Sequence, residues 1–237
     1  MPIEKGKLFL IPSPISEDSL QSISPEVVEV IRSLDFFIVE RLRTARRYIS
    51  AMGHPKAIDD MVFEEIPQEG LDNNDIERIL RMALDKKNIG LMSEAGMPAI
   101  ADPGNQYVRI AQRLSYTVVP LAGPSSIMMA LMASGLEGQR FAFHGYLSAK
   151  KHDLPAQLRL LDQRSSLDDA TQIWIEAPYR NKQILEAVIT NIAPEKMFCI
   201  AAGLGSAEGF VKTRRIMDWK REGWPEIHKI PAVFLIK

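Results

Sequence analysis

A single cysteine, Cys199, rules out an intrachain disulfide, and its setting in the apolar run KMFCIAA reads as a buried strand position rather than a reactive thiol. No apolar run approaches the roughly 20 residues that a membrane-crossing helix needs. The N-terminal MPIEKGKLFLIPSP also lacks the apolar core and small-residue cleavage site of a signal peptide, so a cytoplasmic protein with no membrane contact is expected. The four histidines, His54, His144, His152 and His228, are scattered without ligand spacing, and no metal centre is expected. An excess of positive charge is missing too. With 29 Lys+Arg against 30 Asp+Glu the formal net charge is -1, which argues against holding nucleic acid by bulk electrostatics. The balance is uneven: residues 1–120 carry 14 basic against 18 acidic groups, and residues 121–237 carry 15 against 12, so the second half suits an anionic substrate better.

What is present is the pattern of a folded α/β protein. Short β-rich runs (KLFLI at 7–11, FFIVE at 36–40, VFEEI at 62–66, NIGLM at 88–92, YTVVP at 116–120) alternate with segments of helical period, the mark of β-α units around a largely parallel sheet. Ser24-Pro25 predicts a helix start over EVVEVIRSL, and Asp72 or Asn73 a cap for the segment reaching Lys87. The pattern restarts after GLEG (135–138) with FAFHG at 141–145, a Lys150-Lys151 loop, an amphipathic stretch to Gln163 and a polar loop RSSLDDA. IWIE at 173–176, a helix from Tyr179 to Asn191, MFCIAA at 197–202, a strand at 210–213 and AVFLI at 232–236 follow. Two α/β domains are expected, 1–120 with a largely parallel sheet and 121–237 with a mixed one. No long linker separates them, so a shared cleft is expected.

Ligands of open parallel sheets bind beyond the carboxyl ends of the strands, which directs attention to the loops after them. The first, Pro12-Ser13-Pro14-Ile15-Ser16, has no glycine, which tells against a dinucleotide-binding turn. Glu40 ends the second strand run. The next segment, 41–52, carries Arg41, Arg43, Arg46 and Arg47, either as a solvated helix face or facing an anion. The most informative loop is SEAGMPAIADPG at 93–104: two glycines and two prolines in one loop imply that its backbone path matters, since a plain turn needs only about four residues. A second glycine loop, PLAGPSSI at 120–127, leads into an apolar helix through Met132.

Together SEAGMPAIADPG, GPSSIMMALMASG, FAFHGYLSAKK and IEAPYR, with VERLRTARRYI in the place of an EDTR-type motif, resemble in order the motifs of the ribosomal RNA small-subunit methyltransferase I branch of the tetrapyrrole (corrin/porphyrin) methylases. The resemblance implies a homodimeric two-domain methyltransferase that folds S-adenosylmethionine into an interdomain cleft. By motif match the cofactor-facing positions are Pro12, Glu94, Gly96, Met97, Ser126, Ile127, Ala177, Pro231 and Ala232. The chain departs from the branch in having Glu94 where aspartate is usual, in lacking Gly-Asn after Pro14-Ile15, in reading Glu40-Arg41-Leu42-Arg43 for Glu-Asp-Thr-Arg, and in lacking the C-terminal helical extension of the longer ribosomal enzymes.

S-adenosylmethionine carries its own leaving group, so alignment of the acceptor is the main task, and orientation supplies up to about 7–11 kcal/mol. A hydroxyl acceptor also needs a base, for which Glu40 and Glu176 are the carboxylates placed at strand ends. His144, alone in an apolar run, reads as structural. Three readings stay open: a methyltransferase of RNA with Arg41, Arg43, Lys150, Lys151 and Arg180 facing phosphates; a methyltransferase of a small molecule such as a tetrapyrrole; and a binding module that retains the cofactor fold without catalysis.

Overall fold

A computed structural model describes residues 5–67, 69–150 and 152–237. The chain divides into two compact units, Met1–Ser125 and Ser126–Lys237, each built on its own five-stranded sheet. The division falls five residues beyond the expected 120/121 boundary because Leu121 packs into the first unit's core and its amide donates to Leu10 O. The lysine of the 150–151 pair that lies outside the described residues is Lys151.

The first unit runs β1 (Lys7–Ile11), α1 (Pro25–Ser33), β2 (Phe36–Val39), α2 (Leu42–Ala51), β3 (Val62–Glu65), α3 (Asn73–Leu84), β4 (Ile89–Met92), α4 (Asn105–Arg113) and β5 (Thr117–Pro120). Its sheet has the order β3-β2-β4-β1-β5, with every pair parallel. Strands β2 and β4 are buried along their whole length, as parallel strands covered on both faces must be, which explains their unbroken apolar runs. One face packs on α1 and α2 through Ile11, Phe37, Val39, Tyr48 and Ile49, and the other on α3 and α4 through Leu8, Ile38, Leu91, Leu80 and Ile110. The helix starts follow the local chemistry. Ser24 accepts from the Val27 amide ahead of Pro25, and the Asp72 carboxylate accepts from the amides of Asn74 and Asp75. The connection leaving β1 goes to one side of the sheet and that leaving β4 to the other, so the two central strands mark the reversal of strand order beside which α/β sheets bind ligands.

The second unit runs α5 (Ser126–Ser134), β6 (Phe141–Tyr146), α6 (Leu154–Leu167), β7 (Thr171–Glu176), α7 (Asn181–Asn191), β8 (Met197–Ala202), β9 (Phe210–Arg215), α8 (Ile216–Glu222) and β10 (Ala232–Ile236). Its sheet is mixed, in the order β6-β7-β10-β8-β9: β6 and β7 are parallel and the remaining pairs antiparallel. Trp174, Phe234 and Phe198, on the successive strands β7, β10 and β8, stack on one another at 5.8–6.0 Å and form the heart of the core under α6, α7 and α8. The opposite face packs on α5 through Ile127, Leu131, Val233 and Leu235. Cys199 is buried on this face, and burial pushes its thiol up to about 11.

Two elements differ from expectation. Helix α6 continues through Leu167 and absorbs the start of the polar RSSLDDA segment, because buried Ser165 donates to Asp162 O and receives Lys196 Nζ at 2.7 Å. Helix α8 is an addition, fixed by buried Ile216 and by Trp219, whose indole N–H donates to Phe198 O. No helix among the described residues is long and apolar enough to cross a membrane.

Candidate functional site

The loops after β1 and β4 are joined at the reversal of strand order. Ser13 and Gly96 exchange both backbone hydrogen bonds, at 2.8 and 3.0 Å, and the Ser13 hydroxyl donates to Ser93 O at 2.9 Å. Gly96 has φ +75°, which a β-carbon strains. A β-carbon there meets nothing closer than 3.7 Å, so the requirement for glycine comes from the backbone path and not from a collision of that carbon within the protein. Pro12 is held from two sides: its carbonyl accepts from the Tyr48 hydroxyl at 3.0 Å, and Gly123 of the loop after β5 packs so closely that a β-carbon would stand 2.1 Å from Pro12 Cβ. The three loops are therefore joined in one rim.

Glu40 belongs to that rim. Its Oε2 accepts from the Glu94 amide at 2.9 Å and its own amide donates to Met92 O, while Oε1 makes no hydrogen bond among the described residues. Farther along the long loop Ala99 and Ala101 both adopt left-handed backbone, φ 67° and 61°, at about 1–2 kcal/mol each. Asp102 holds them there by accepting from the amides of Ala99 and Gly104 at 2.7–3.0 Å. Burial raises its carboxyl to about 6, opposed by the Gly104 amide, aided by the charge of Glu40 and opposed again by Ala99. The sequence reading passed over Asp102, Tyr48 and Ser13. The Asp-Pro-Gly run was a legible turn signal for Asp102, whereas nothing local marks the other two.

On one side of the rim a cavity of about 230 Å³ opens between the 13–17 segment, the first turns of α2 and residues 93–95. Glu94 lines it and is exposed. Met97 is half-buried beyond the bridge. Arg41 and Arg43 are exposed at the start of α2.

In the second unit β7 and β10 pair Glu176 with Ala232, which brings Ala177, Pro231 and Ala232 to one end of the sheet. Asn181 Nδ2 fixes the approach to β10 by donating to Ile227 O and Ile230 O, both at 2.8 Å, and the Gly203 amide donates to Pro231 O. Ser126 opens α5, and Ile127 is buried beneath it. Glu176 and Arg180 form an ion pair at 3.1 Å with side chains 1% and 9% exposed. Burial raises the Glu176 carboxyl, against the Ala177 amide and the Arg180 charge, and its Oε2 is buried without a hydrogen-bond partner among the described residues. Arg180 also donates to Ser148 O at 2.8 Å. Its guanidinium is thus turned inward to the protein's own groups, unlike the phosphate-facing role expected of it, and Glu176 is sealed where a base would need an open approach. Lys150 is exposed on a loop fixed at Ser148, which bonds Gln157, Asp153 and the Lys150 amide. His144 shares a 2.7 Å hydrogen bond with Gln172, in keeping with a structural role. Among the described residues no group of three or more His, Cys, Asp or Glu is placed to hold a metal.

Solved structures share this architecture. The methyltransferase CobJ superposes with a TM-score of 0.65 at 14% identity, covering 98% of this chain and 93% of that one. A diphthine synthase superposes at 0.67 and 18% identity, covering 97% and 88%. By sequence the chain is 30% identical over 223 residues to ribosomal RNA small subunit methyltransferase I of Bacillus subtilis (strain 168), covering 92% of this chain and 72% of that protein. It is 31% identical over 175 residues to the Pseudomonas aeruginosa protein of the same name, spanning 58% of its length. The model of the Tetrapyrrole (Corrin/Porphyrin) Methylases matches residues 14–215. With the two sheets, the bridged loops and this match spanning most of the sequence, the chain belongs to the tetrapyrrole (corrin/porphyrin) methylase family, in its ribosomal RNA small-subunit methyltransferase I branch.

Proposed function

We propose that this methyltransferase takes its methyl group from S-adenosylmethionine and delivers it to a ribose hydroxyl of small-subunit ribosomal RNA, working in the cytoplasm as a homodimer. The observation that carries the reading is the rim of the first unit, where the loops after β1, β4 and β5 are joined beside the strand-order reversal, Ser13 to Gly96 by paired backbone hydrogen bonds and Pro12 to Gly123 by close packing. In the second unit Ser126, Ile127, Ala177, Pro231 and Ala232 are cofactor-facing positions by motif match. When bound, S-adenosylmethionine supplies a methyl group on a sulfonium leaving group. Glu40 is the base: it is half-buried, is anchored through one carboxylate oxygen and has the other available for the proton that the hydroxyl loses as its oxygen bonds the methyl carbon. Glu176 positions the turn at Ala177 instead.

The test incubates the protein with labelled S-adenosylmethionine and, separately, small ribosomal subunits and a porphyrinogen. Label in RNA supports the reading, and label only in the tetrapyrrole overturns the acceptor. Gly96→Val is expected to abolish the rise in Tm that S-adenosylhomocysteine gives the wild type while leaving the far-ultraviolet spectrum unchanged. An unchanged ligand-induced shift in this variant would remove the loop from the site.

A further inference from the structure

The end of the second sheet at which β6 and β7 finish presents exposed aromatic rings among cations. We propose that Tyr179, in the turn after β7, is a stacking platform for an unpaired RNA base, and that Lys150 and Lys229 hold the phosphates beside it. This deepens the reading of RNA as acceptor and rests on it.

A tyrosine ring left in solvent forgoes the burial from which large aromatic side chains gain most, and it offers that gain to a ligand instead. Tyr179 is 70% exposed, and Tyr146, the last residue of β6, is 60% exposed. Because β6 and β7 run parallel with Tyr146 opposite Ile175, both chains leave the sheet at the same end. The backbone under Tyr179 is fixed. It lies in a single 3₁₀ turn, Pro178–Arg180, where Pro178 sets its own φ and the Arg180 amide donates to Ala177 O at 2.8 Å. Buried Arg180 ties the turn to Ser148 O, and Asn181 Nδ2 ties it to Ile227 O and Ile230 O. With only two side-chain torsions to order, the ring gives up little entropy when a base stacks on it.

The same hydrogen bonds bring the cations. The Lys150 amide donates to the hydroxyl of Ser148, the residue that Arg180 holds, and the Lys229 amide donates to Pro178 O at 3.3 Å. One lysine therefore borders the turn from the loop after β6 and the other from the approach to β10. Both are exposed, and neither has an ion-pair partner among the described residues. Exposed Lys182, in the first turn of α7, adds a third charge. Of the acids in these loops, Glu176 is paired with Arg180, Asp153 accepts from the Ser148 hydroxyl and Glu226 accepts from the His228 amide. An exposed ring bordered by cations is how proteins hold single strands: the ring stacks on a base of any identity while the lysines neutralise the phosphates on either side. The bases of a duplex are already stacked on one another, so the partner is an unpaired stretch of RNA.

The test follows, by fluorescence anisotropy, the binding of a short single-stranded fragment of small-subunit ribosomal RNA across a salt series, with S-adenosylhomocysteine present. Tyr179→Ala is expected to weaken binding by about 5- to 100-fold, as the loss of one base stack does, with the salt slope unchanged. Tyr179→Phe, which keeps the ring, is expected to stay within threefold of the wild type. Lys150→Ala combined with Lys229→Ala is expected to lower the magnitude of the slope by about 1–2. A fragment of the same length without bases is expected to bind the wild type and Tyr179→Ala alike. Wild-type affinity in Tyr179→Ala, an equal loss in Tyr179→Phe, or no binding of the fragment by the wild type overturns the proposal. So does a parallel loss of S-adenosylhomocysteine affinity in Tyr179→Ala, which assigns the ring to the cofactor. Should the wild type transfer no methyl group to RNA, the proposed function fails, and the binding measurements, which need no transfer, still decide the platform.

Discussion

Asp102 sits in opposed fields. Its carboxylate accepts the amides that hold Ala99 and Gly104, which favours charge, yet burial and the facing carboxylate of Glu40 oppose charge and prevail, raising it from 3.8 to about 6. The native state therefore binds more protons than the unfolded chain between about pH 4 and 6, and by linkage stability falls as pH rises through that window. Two pK units correspond to about 3 kcal/mol at most, and because the side chain is partly open to solvent, screening reduces the expected effect to about 1 kcal/mol. Asp102→Asn keeps an acceptor oxygen for the loop amides but cannot titrate. Urea midpoints measured from pH 4 to 7 are expected to fall less steeply between pH 4 and 6 in this variant than in the wild type. Parallel profiles would show that Asp102 does not titrate in that range.

At the scale of elements, the turn from β7 into α7 depends on one buried ion pair. Arg180 neutralises Glu176 and ties Ser148, on the loop after β6, to the same turn. Removing one partner of a buried pair strands the other, so Arg180→Ala is expected to destabilise the fold by about 3–5 kcal/mol in denaturant unfolding. Arg180→Lys restores charge without the two-pronged geometry and recovers only part of the loss. A cost below about 1 kcal/mol for Arg180→Ala would mean that the carboxylate is neutral or solvated. Little of this pairing was legible in IEAPYR, because the two residues are four apart across a strand end and a turn, where helical spacing rules do not apply. The strands themselves were legible: β2, β4, β8 and β10 are apolar runs bounded by turn residues, and burial on both faces leaves no other composition open to them. The last turn of α6 was not, since Ser165 and Ser166 are poor helix formers by themselves and are held by Lys196, 31 and 30 residues later in the chain. Helix α8, seven residues long, is fixed by the burial of Trp219 and not by any local period.

For the whole molecule, charge sets the terms on which RNA is bound. The rim residues were legible because their glycines and prolines stand in ordered motifs, but motif position is silent on burial, and so Arg180 was grouped with the phosphate-facing residues although it lies inside. With a net charge of -1, any RNA affinity must come from local clusters. Arg41 and Arg43 at the start of α2 and Lys150 on the loop anchored at Ser148 are exposed, with Lys151 next to it in sequence. Each phosphate neutralised contributes about 0.7 to the slope of log affinity against log salt on single strands and about 0.9 on duplex. The paired substitutions Arg41→Ala with Arg43→Ala, and Lys150→Ala with Lys151→Ala, are each expected to lower the magnitude of that slope by about 1–2 for a ribosomal RNA fragment. The Tm shift given by S-adenosylhomocysteine should stay at its wild-type value, because recognition of the cofactor is assigned to the loop backbones and not to these cations. A shallower slope in one pair alone assigns the RNA path to that unit. Unchanged slopes in both would leave the RNA without a cationic anchor at either place and would move a small-molecule acceptor into first position.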